Sequence, residues 1–153
     1  MRIILLLILP LFCFSQSQKN SLLPHEDILI DNDRIYYVIR EDAPHIVPPL
    51  ELNPAYLVMY DLGRHPQQAT FQTYGDMETF LINADFAGKP KVDEELFLKS
   101  LALHYISLLD NKTAPISGLD HKLGKLIKST DSHIRQKAGL VNVLFLQSKN
   151  EQR

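Results

Sequence analysis

The sequence is poor in cysteine, tryptophan and glycine. Its 153 residues include a single cysteine, Cys13, no tryptophan and six glycines. A lone thiol cannot form an intramolecular disulfide, and thiolate zinc sites require several cysteines. The chain also lacks a Gly-x-Ser-x-Gly nucleophile motif and a glycine-rich phosphate loop. These absences exclude a disulfide scaffold and a cysteine-ligated metal centre, and they argue against a P-loop enzyme or an α/β-hydrolase.

The segment 1–17 has the pattern of a secretory signal peptide. Arg2 is followed by twelve largely apolar residues, and Ser15 and Ser17 provide small side chains before a cut. The apolar run is shorter than the ~20 residues that span a bilayer. Lipidation of Cys13 is the less favoured alternative, because the residue before a lipidated cysteine is normally small. We therefore expect a secreted or periplasmic protein whose mature chain has no cysteine and no transmembrane span.

The rest of the chain has the length of one ordinary domain. We expect a flexible leader over residues 18–27 and a single globular domain over 28–148. A disordered tail is expected over 149–153. With no disulfide available, the hydrophobic core alone has to hold such a domain together.

Charge is distributed unevenly along the chain. Residues 19–110 contain 7 basic and 15 acidic side chains, whereas residues 111–153 contain 8 basic and 3 acidic ones. The near-neutral total gives no reason to expect nucleic acid as a partner. The basic third either pairs with the acidic part or presents a surface to an outside anion. In the second case the partner is an unknown protein or an anionic ligand of the cell envelope, and the binding residues are Lys122, Lys125, Lys128 and Arg135.

The first strands are predicted from β-forming residues on both sides of a turn. The runs 28–30 and 35–39 are rich in Ile, Val and Tyr, and Asn and Asp residues lie between them. This pattern predicts a β-hairpin. Prolines then indicate an extended connector over 41–52.

Two short helices are predicted after the connector. Asn53 followed by Pro54 is typical of a helix start and predicts a helix over 54–62. A second short helix is expected over 66–74, where glycine again follows the last residue.

The remaining helices are predicted from apolar spacing and capping residues. Asp76 is expected to cap a further helix, with a strand as the alternative for 79–86. The segment 93–110 is apolar nearly all round, which predicts a buried central helix. Two further helices are expected over 117–129 and 131–147, with a strand as the alternative for 140–146. Together these elements predict a mainly α domain with an N-terminal β-hairpin, and an α+β domain is the alternative.

Residues 119–147 resemble one HEAT-type helical hairpin. The resemblance rests on apolar residues of the first helix and on the start of the second, namely Leu123, Leu126, Ile127, Asp131-Ser132-His133-Ile134-Arg135 and Ala138. It implies helix–turn–helix geometry and a binding scaffold. It implies no catalytic residues, and the chain contains no second copy at a fixed period.

The histidines do not follow the spacing of a known metal motif. We assign no catalytic residue, metal ligand or cofactor from the sequence. The favoured function is an exported, non-enzymatic binding or protein-interaction module. The alternative is a small extracytoplasmic hydrolase that uses acid–base or metal chemistry. Convergence of His104, Asp120, His121 and His133 in one pocket would favour the hydrolase, whereas dispersed histidines would favour binding.

Overall fold

The computed structural model describes residues 20–40, 52–61 and 68–153, which form six strands and four helices. The strands are β1 (Asn20–Ser21), β2 (Glu26–Ile30), β3 (Ile35–Arg40), β4 (Leu52–Asn53), β5 (Tyr56–Asp61) and β6 (Gln68–Ala69). The helices are α1 (Tyr74–Asn83), α2 (Glu94–Leu109), α3 (Leu119–Ile127) and α4 (Ser132–Glu151). The predicted signal peptide and nearly all of the predicted connector lie outside the described residues.

A four-stranded sheet has the order β2-β3-β5-β4. The predicted hairpin is confirmed, because β2 and β3 pair antiparallel with Ile30 opposite Ile35. Strand β3 pairs parallel with β5 on its other side. Ile28, Ile35 and Tyr37 of the hairpin are buried in the hydrophobic core. The hairpin is thereby held between a neighbouring strand and the helices.

The helix predicted over 54–62 is wrong, because residues 56–61 form strand β5. Asn53 pairs with Tyr56, so Pro54 and the residue after it make the tight turn from β4 to β5. An Asn-Pro step suits a turn as well as a helix start. The aromatic and β-branched residues that follow favour a strand, and β3 offers them an edge for pairing.

Helix α1 begins at Tyr74 with Thr73 as its cap, so the predicted cap at Asp76 is wrong, and residues 68–73 are not helical as predicted for 66–74. Residues 68 and 69 pair instead with β1 as strand β6. Thr73 caps α1: its hydroxyl accepts the Asp76 N–H at 3.1 Å, and Asp76 Oδ2 accepts the Thr73 N–H at 3.0 Å. This capping box satisfies two otherwise unpaired donors. Because α1 continues to Asn83, the strand alternative for this region is wrong.

Helix α2 is the central helix that the sequence predicts. Asp93 caps it by accepting the Leu96 N–H at 3.0 Å. From Phe97 to Leu108 every residue except Lys99 is buried. The helix packs against β2, α1, α3 and α4. These neighbours on nearly all sides explain why its side chains are apolar nearly all round.

Helices α3 and α4 are consecutive and pack against each other. Asp131 caps α4 by accepting the N–H groups of His133 and Ile134 at 2.9 and 3.3 Å. Helix α4 runs unbroken to Glu151, so the strand alternative for 140–146 is wrong. Most of the predicted C-terminal tail is the last turn of this helix.

The segment predicted as a leader contributes to the core. Leu22 is 1% exposed and Leu23 is 5% exposed. The backbone N–H groups of Thr70 and Phe71 donate to the carbonyls of Ser21 and Leu22 at 2.7 and 3.0 Å. Residues 20–23 are therefore fastened to the segment that precedes α1.

A buried carboxylate joins this segment to the sheet and to α2. Asp27 Oδ1 accepts the N–H groups of Leu22 and Ile28 at 3.1 and 2.9 Å. The same oxygen lies 3.2 Å from Lys99 Nζ, and Asp27 Oδ2 lies 3.4 Å from Arg40 Nη2. Two cations and two backbone donors thus compensate one buried negative charge.

The prediction of a mainly α domain is wrong: the described residues form an α+β domain with four helices and two small sheets. Apart from β5, the strands that sequence patterns missed are two residues long. Strand β1 pairs with β6 roughly fifty residues later. Such pairing leaves little local signal. No helix in the described segments is both long and apolar enough to cross a membrane.

Candidate functional site: a cleft at His104 and Tyr105

Lys122, the first of the predicted binding residues, is engaged within the protein. Its ammonium group donates to the carbonyls of Leu81 and Ile82 at 2.8 and 2.6 Å, at the C-terminal end of α1. A cation there complements the negative end of the helix dipole. Desolvation by burial lowers the pKa of Lys122, while the charge of Asp85 opposes this shift.

The other predicted binding residues, Lys125, Lys128 and Arg135, are exposed. Arg135 Nη1 donates to the Ser129 carbonyl at 3.0 Å. Elsewhere in the basic third, Lys137 Nζ lies 2.6 Å from Glu95 Oε1. Part of the basic third therefore pairs with the acidic part of the chain, and an exposed basic surface remains at the α3–α4 turn.

Only two of the four residues considered for the hydrolase alternative share a pocket. His104 and Asp120 line one cleft, whereas His121 and His133 are exposed and are not among its lining residues. In the part of the chain that the structure describes, no three His, Cys, Asp or Glu side chains are grouped as metal ligands. The convergence of four residues that would favour a hydrolase is therefore not present.

That cleft, called the His104 cleft below, has a volume of about 330 Å³. It lies between the C-terminal half of α2, the loop and first turn of α3, and the end of α4. Its lining mixes polar and apolar side chains: His104, Tyr105, Leu108, Pro115, Ile116, Ser117, Gly118, Leu119, Asp120, Phe145, Ser148, Lys149 and Gln152. A cleft of this volume lies at the lower end of the range that small-molecule sites occupy.

Backbone conformation shapes the entrance of the cleft. Gly118 has φ 85°, in the left-handed region that favours glycine, and it is the N-cap of α3. It provides no side-chain cap, and Asp120 Oδ1 accepts the N–H of His121 at 2.9 Å. Lys149 Nζ lies 5.7 Å from the centroid of the Phe145 ring on the opposite side. Asp120 and Lys149 are both exposed, so charges of both signs occur at the entrance.

Two buried polar groups of the cleft have no hydrogen-bond partner among the described residues. They are Nε2 of His104, a fully buried side chain, and the hydroxyl of Tyr105, which is 3% exposed. Their rings lie 5.9 Å apart, and Tyr105 also contacts Phe145 at 5.4 Å between ring centroids. Leaving such a group unpaired costs about 1–3 kcal/mol.

The other nitrogen of His104 belongs to a buried polar chain. His104 Nδ1 lies 2.9 Å from the hydroxyl of Tyr74, which fixes the orientation of the ring. Close to this pair, Thr113 donates to Glu78 Oε1 at 3.0 Å. The chain therefore links α1, α2 and the loop that follows α2.

Both aromatic polar groups are uncharged near neutral pH. Burial lowers the pKa of His104, partly opposed by the charge of Glu78. Burial raises the pKa of Tyr105, and the charge of Asp120 adds to this effect. Burial also raises the pKa of Tyr74 to about 12. Two residues that line the cleft thus carry a neutral imidazole and a neutral phenol.

Sequence reasoning placed His104 at the edge of a buried helix but missed Tyr105, Tyr74 and Glu78. A signal was available in α2, where Ser100, His104 and Ser107 recur at spacings of four and three. Residues so spaced share one helix face, and all three are buried. A polar stripe inside an otherwise apolar helix needs internal partners or a ligand.

A larger groove of about 480 Å³ lies between the hairpin turn, the β4–β5 turn and α4. Its lining includes Arg34, Tyr56, Leu140 and Val143. None of its lining residues carries one of the buried unpaired polar atoms found in the described part of the chain. The smaller His104 cleft is therefore the better candidate site.

Comparisons with models of protein families, with curated proteins and with solved structures give no match.

Proposed function

We propose that this protein is an exported binding module whose ligand is a small organic molecule held in the His104 cleft. One observation carries the proposal: two adjacent residues of the central helix bury polar groups that lack a partner among the described residues, and both line the same cleft. A ligand that hydrogen-bonds to either group would recover the cost of burying it.

The surroundings of the two groups support a preformed site. Helix α2 is packed on nearly all sides, so its side chains are held in place. The contact between Tyr74 and His104 Nδ1 further restricts the imidazole. A rigid site loses little conformational entropy when a ligand binds.

Binding has more support than hydrolysis. His121 and His133 lie on exposed surface outside the cleft, where they provide no second catalytic base. Export is proposed on the signal pattern of residues 1–17, which lie outside the described segments. The exposed Lys125, Lys128 and Arg135 remain proposed contacts for an anionic ligand of the cell envelope or for a protein partner.

The experiment blocks the cleft without altering its polar groups. Ser117 is an exposed residue of the lining, and Ser117→Trp should obstruct it. The matched control is Ser132→Trp, at an exposed serine in the first turn of α4. A library of small acidic, basic and neutral compounds would be screened by amide NMR shifts against all three proteins.

We expect compounds that shift the amides around residues 104, 105 and 117–120 in the wild type and in Ser132→Trp. The same compounds should produce no such shifts in Ser117→Trp. If no compound shifts these amides in the folded wild type, the cleft is not a ligand site. Binding that persists in Ser117→Trp would lead to the same conclusion.

A further inference from the structure

We infer that the ligand of the His104 cleft is an uncharged molecule with an apolar body and a hydroxyl group, an alcohol or a phenol, that bonds to His104 and Tyr105. This inference rests on the proposed function and specifies its ligand. It follows from the neutral state of these two residues, from their hydrogen-bonding capacity and from the charges at the entrance.

The lining of the cleft at these two residues favours an uncharged group. His104 and Tyr105 are buried and neutral, and the apolar side chains of Leu108 and Leu119 line the same space. A charged ligand group placed there would lose its hydration without meeting an opposite charge. Burial of an uncompensated charge costs far more than burial of a neutral polar group.

The hydrogen-bonding capacity of the two groups favours a hydroxyl. Neutral imidazole Nε2 donates or accepts according to which nitrogen carries the proton, and the Tyr105 hydroxyl can do both. The contact between Tyr74 and His104 Nδ1 is compatible with either tautomer. A ligand hydroxyl also donates and accepts, so it complements both tautomers. A carbonyl only accepts and an ammonium only donates, so each can bond to His104 Nε2 in only one of its two tautomers.

The entrance has no net preference for one sign of charge. Asp120 and Lys149 are both exposed and both line the cleft. The Asp120 charge reaches far enough to raise the pKa of Tyr105, so an anion next to that hydroxyl would be repelled. Lys149 lies over the Phe145 ring, where it would oppose an incoming cation. Both effects favour a neutral ligand.

The test compares four naphthalene derivatives that differ in one substituent: 2-naphthol, 2-methylnaphthalene, 2-naphthoate and 2-(aminomethyl)naphthalene. Dissociation constants would be measured at pH 7 from amide NMR shifts around the cleft. We expect 2-naphthol to bind about tenfold more tightly than each of the other three. A tenfold preference is the size expected from one buried hydrogen bond.

Two variants locate the origin of that preference. Tyr105→Phe and His104→Phe should each reduce the advantage of 2-naphthol over 2-methylnaphthalene to about threefold or less. The matched control is Tyr36→Phe on β3, outside the cleft lining, which should leave the tenfold ratio unchanged. Amide spectra of each variant without ligand verify that it is folded, and Tyr105→Phe keeps the ring contact with Phe145.

The outcomes separate the ligand class from the proposed function. Equal binding of the four compounds, a preference for a charged one, or a ratio unaffected by Tyr105→Phe would overturn the inference. So would the absence of 2-naphthol binding when other library compounds occupy the cleft. In each of these cases the proposed function stands as long as Ser117→Trp still abolishes binding, and it fails if no compound binds in the cleft.

Discussion

The sheet and the helical half of this domain bury polar groups in different ways. Next to the sheet, the buried carboxylate of Asp27 accepts two backbone N–H groups and lies close to Lys99 and Arg40, although Nε and Nη1 of Arg40 have no hydrogen-bond partner among the described residues. In the helical half, His104 and Tyr105 bury polar atoms without a partner among the described residues. A compensated buried group holds a fold together, whereas an uncompensated one is a cost that a bound ligand can remove.

The largest effect on stability is expected when the buried cluster of Asp27, Lys99 and Arg40 is broken. Asp27→Asn should lower the free energy of unfolding by about 3 kcal/mol or more, because Lys99 and Arg40 lose their shared buried carboxylate. Urea denaturation measures the change. The control is Asp33→Asn, at an exposed residue 3.8 Å from Arg34, which should cost less than about 0.5 kcal/mol. A loss below about 1 kcal/mol for Asp27→Asn would show that the cluster is not a structural centre.

The pH dependence of stability tests the neutral state of His104. Burial lowers the pKa of His104 in the folded protein, so below a pH of about 6.5 the unfolded chain binds a proton more readily than the folded one. The contribution of the neutral His104 side chain to the free energy of unfolding is therefore fully present above that pH. It decreases as the pH falls, by at most about 1.4 kcal/mol per pH unit. Urea denaturation at pH 7 and pH 5 should show a smaller loss for His104→Phe than for the wild type. Equal losses would contradict the burial of a neutral imidazole.

Two tyrosines provide a matched test of paired and unpaired hydroxyls. Tyr37 donates its hydroxyl to Glu26, whereas the hydroxyl of Tyr105 has no partner among the described residues. Tyr37→Phe should cost about 1 kcal/mol of unfolding free energy, and Tyr105→Phe should cost less than about 0.5 kcal/mol. Both are measured by urea denaturation without ligand. A loss of more than about 1 kcal/mol for Tyr105→Phe would indicate that its hydroxyl is already paired.

The smallest effect concerns the basic third of the chain. Lys122→Ala should cost about 0.5–1 kcal/mol, because the carbonyls at the end of α1 lose a cationic donor. Lys125→Ala, one turn further along α3 and exposed, should change stability by less than about 0.5 kcal/mol. Thermal and urea denaturation of the two variants measure the difference. Equal effects would mean that the contact between Lys122 and α1 contributes nothing to stability.

Local patterns predicted the elements whose signals lie within their own residues. Asp93 caps α2 as its position before an apolar run indicates, and the turn residues at 31–34 join the predicted hairpin. The strand β5 was mistaken for a helix because Asn53-Pro54 suits both a helix start and a turn. Its pairing with β3 resolved the ambiguity, and that pairing depends on residues about twenty positions away.

The sequence alone identified one buried helix, its N-terminal cap, the hairpin and the uneven charge, because each of these depends on the residue types of one short segment or on a count of charges. It could not show that Lys122 reaches the end of α1, or that Tyr74 orients His104. Those contacts join residues 30–41 positions apart, so they exist only when the helices pack. The cleft has the same origin, since residues of α2, α3 and α4 form its walls and no single segment contains its shape.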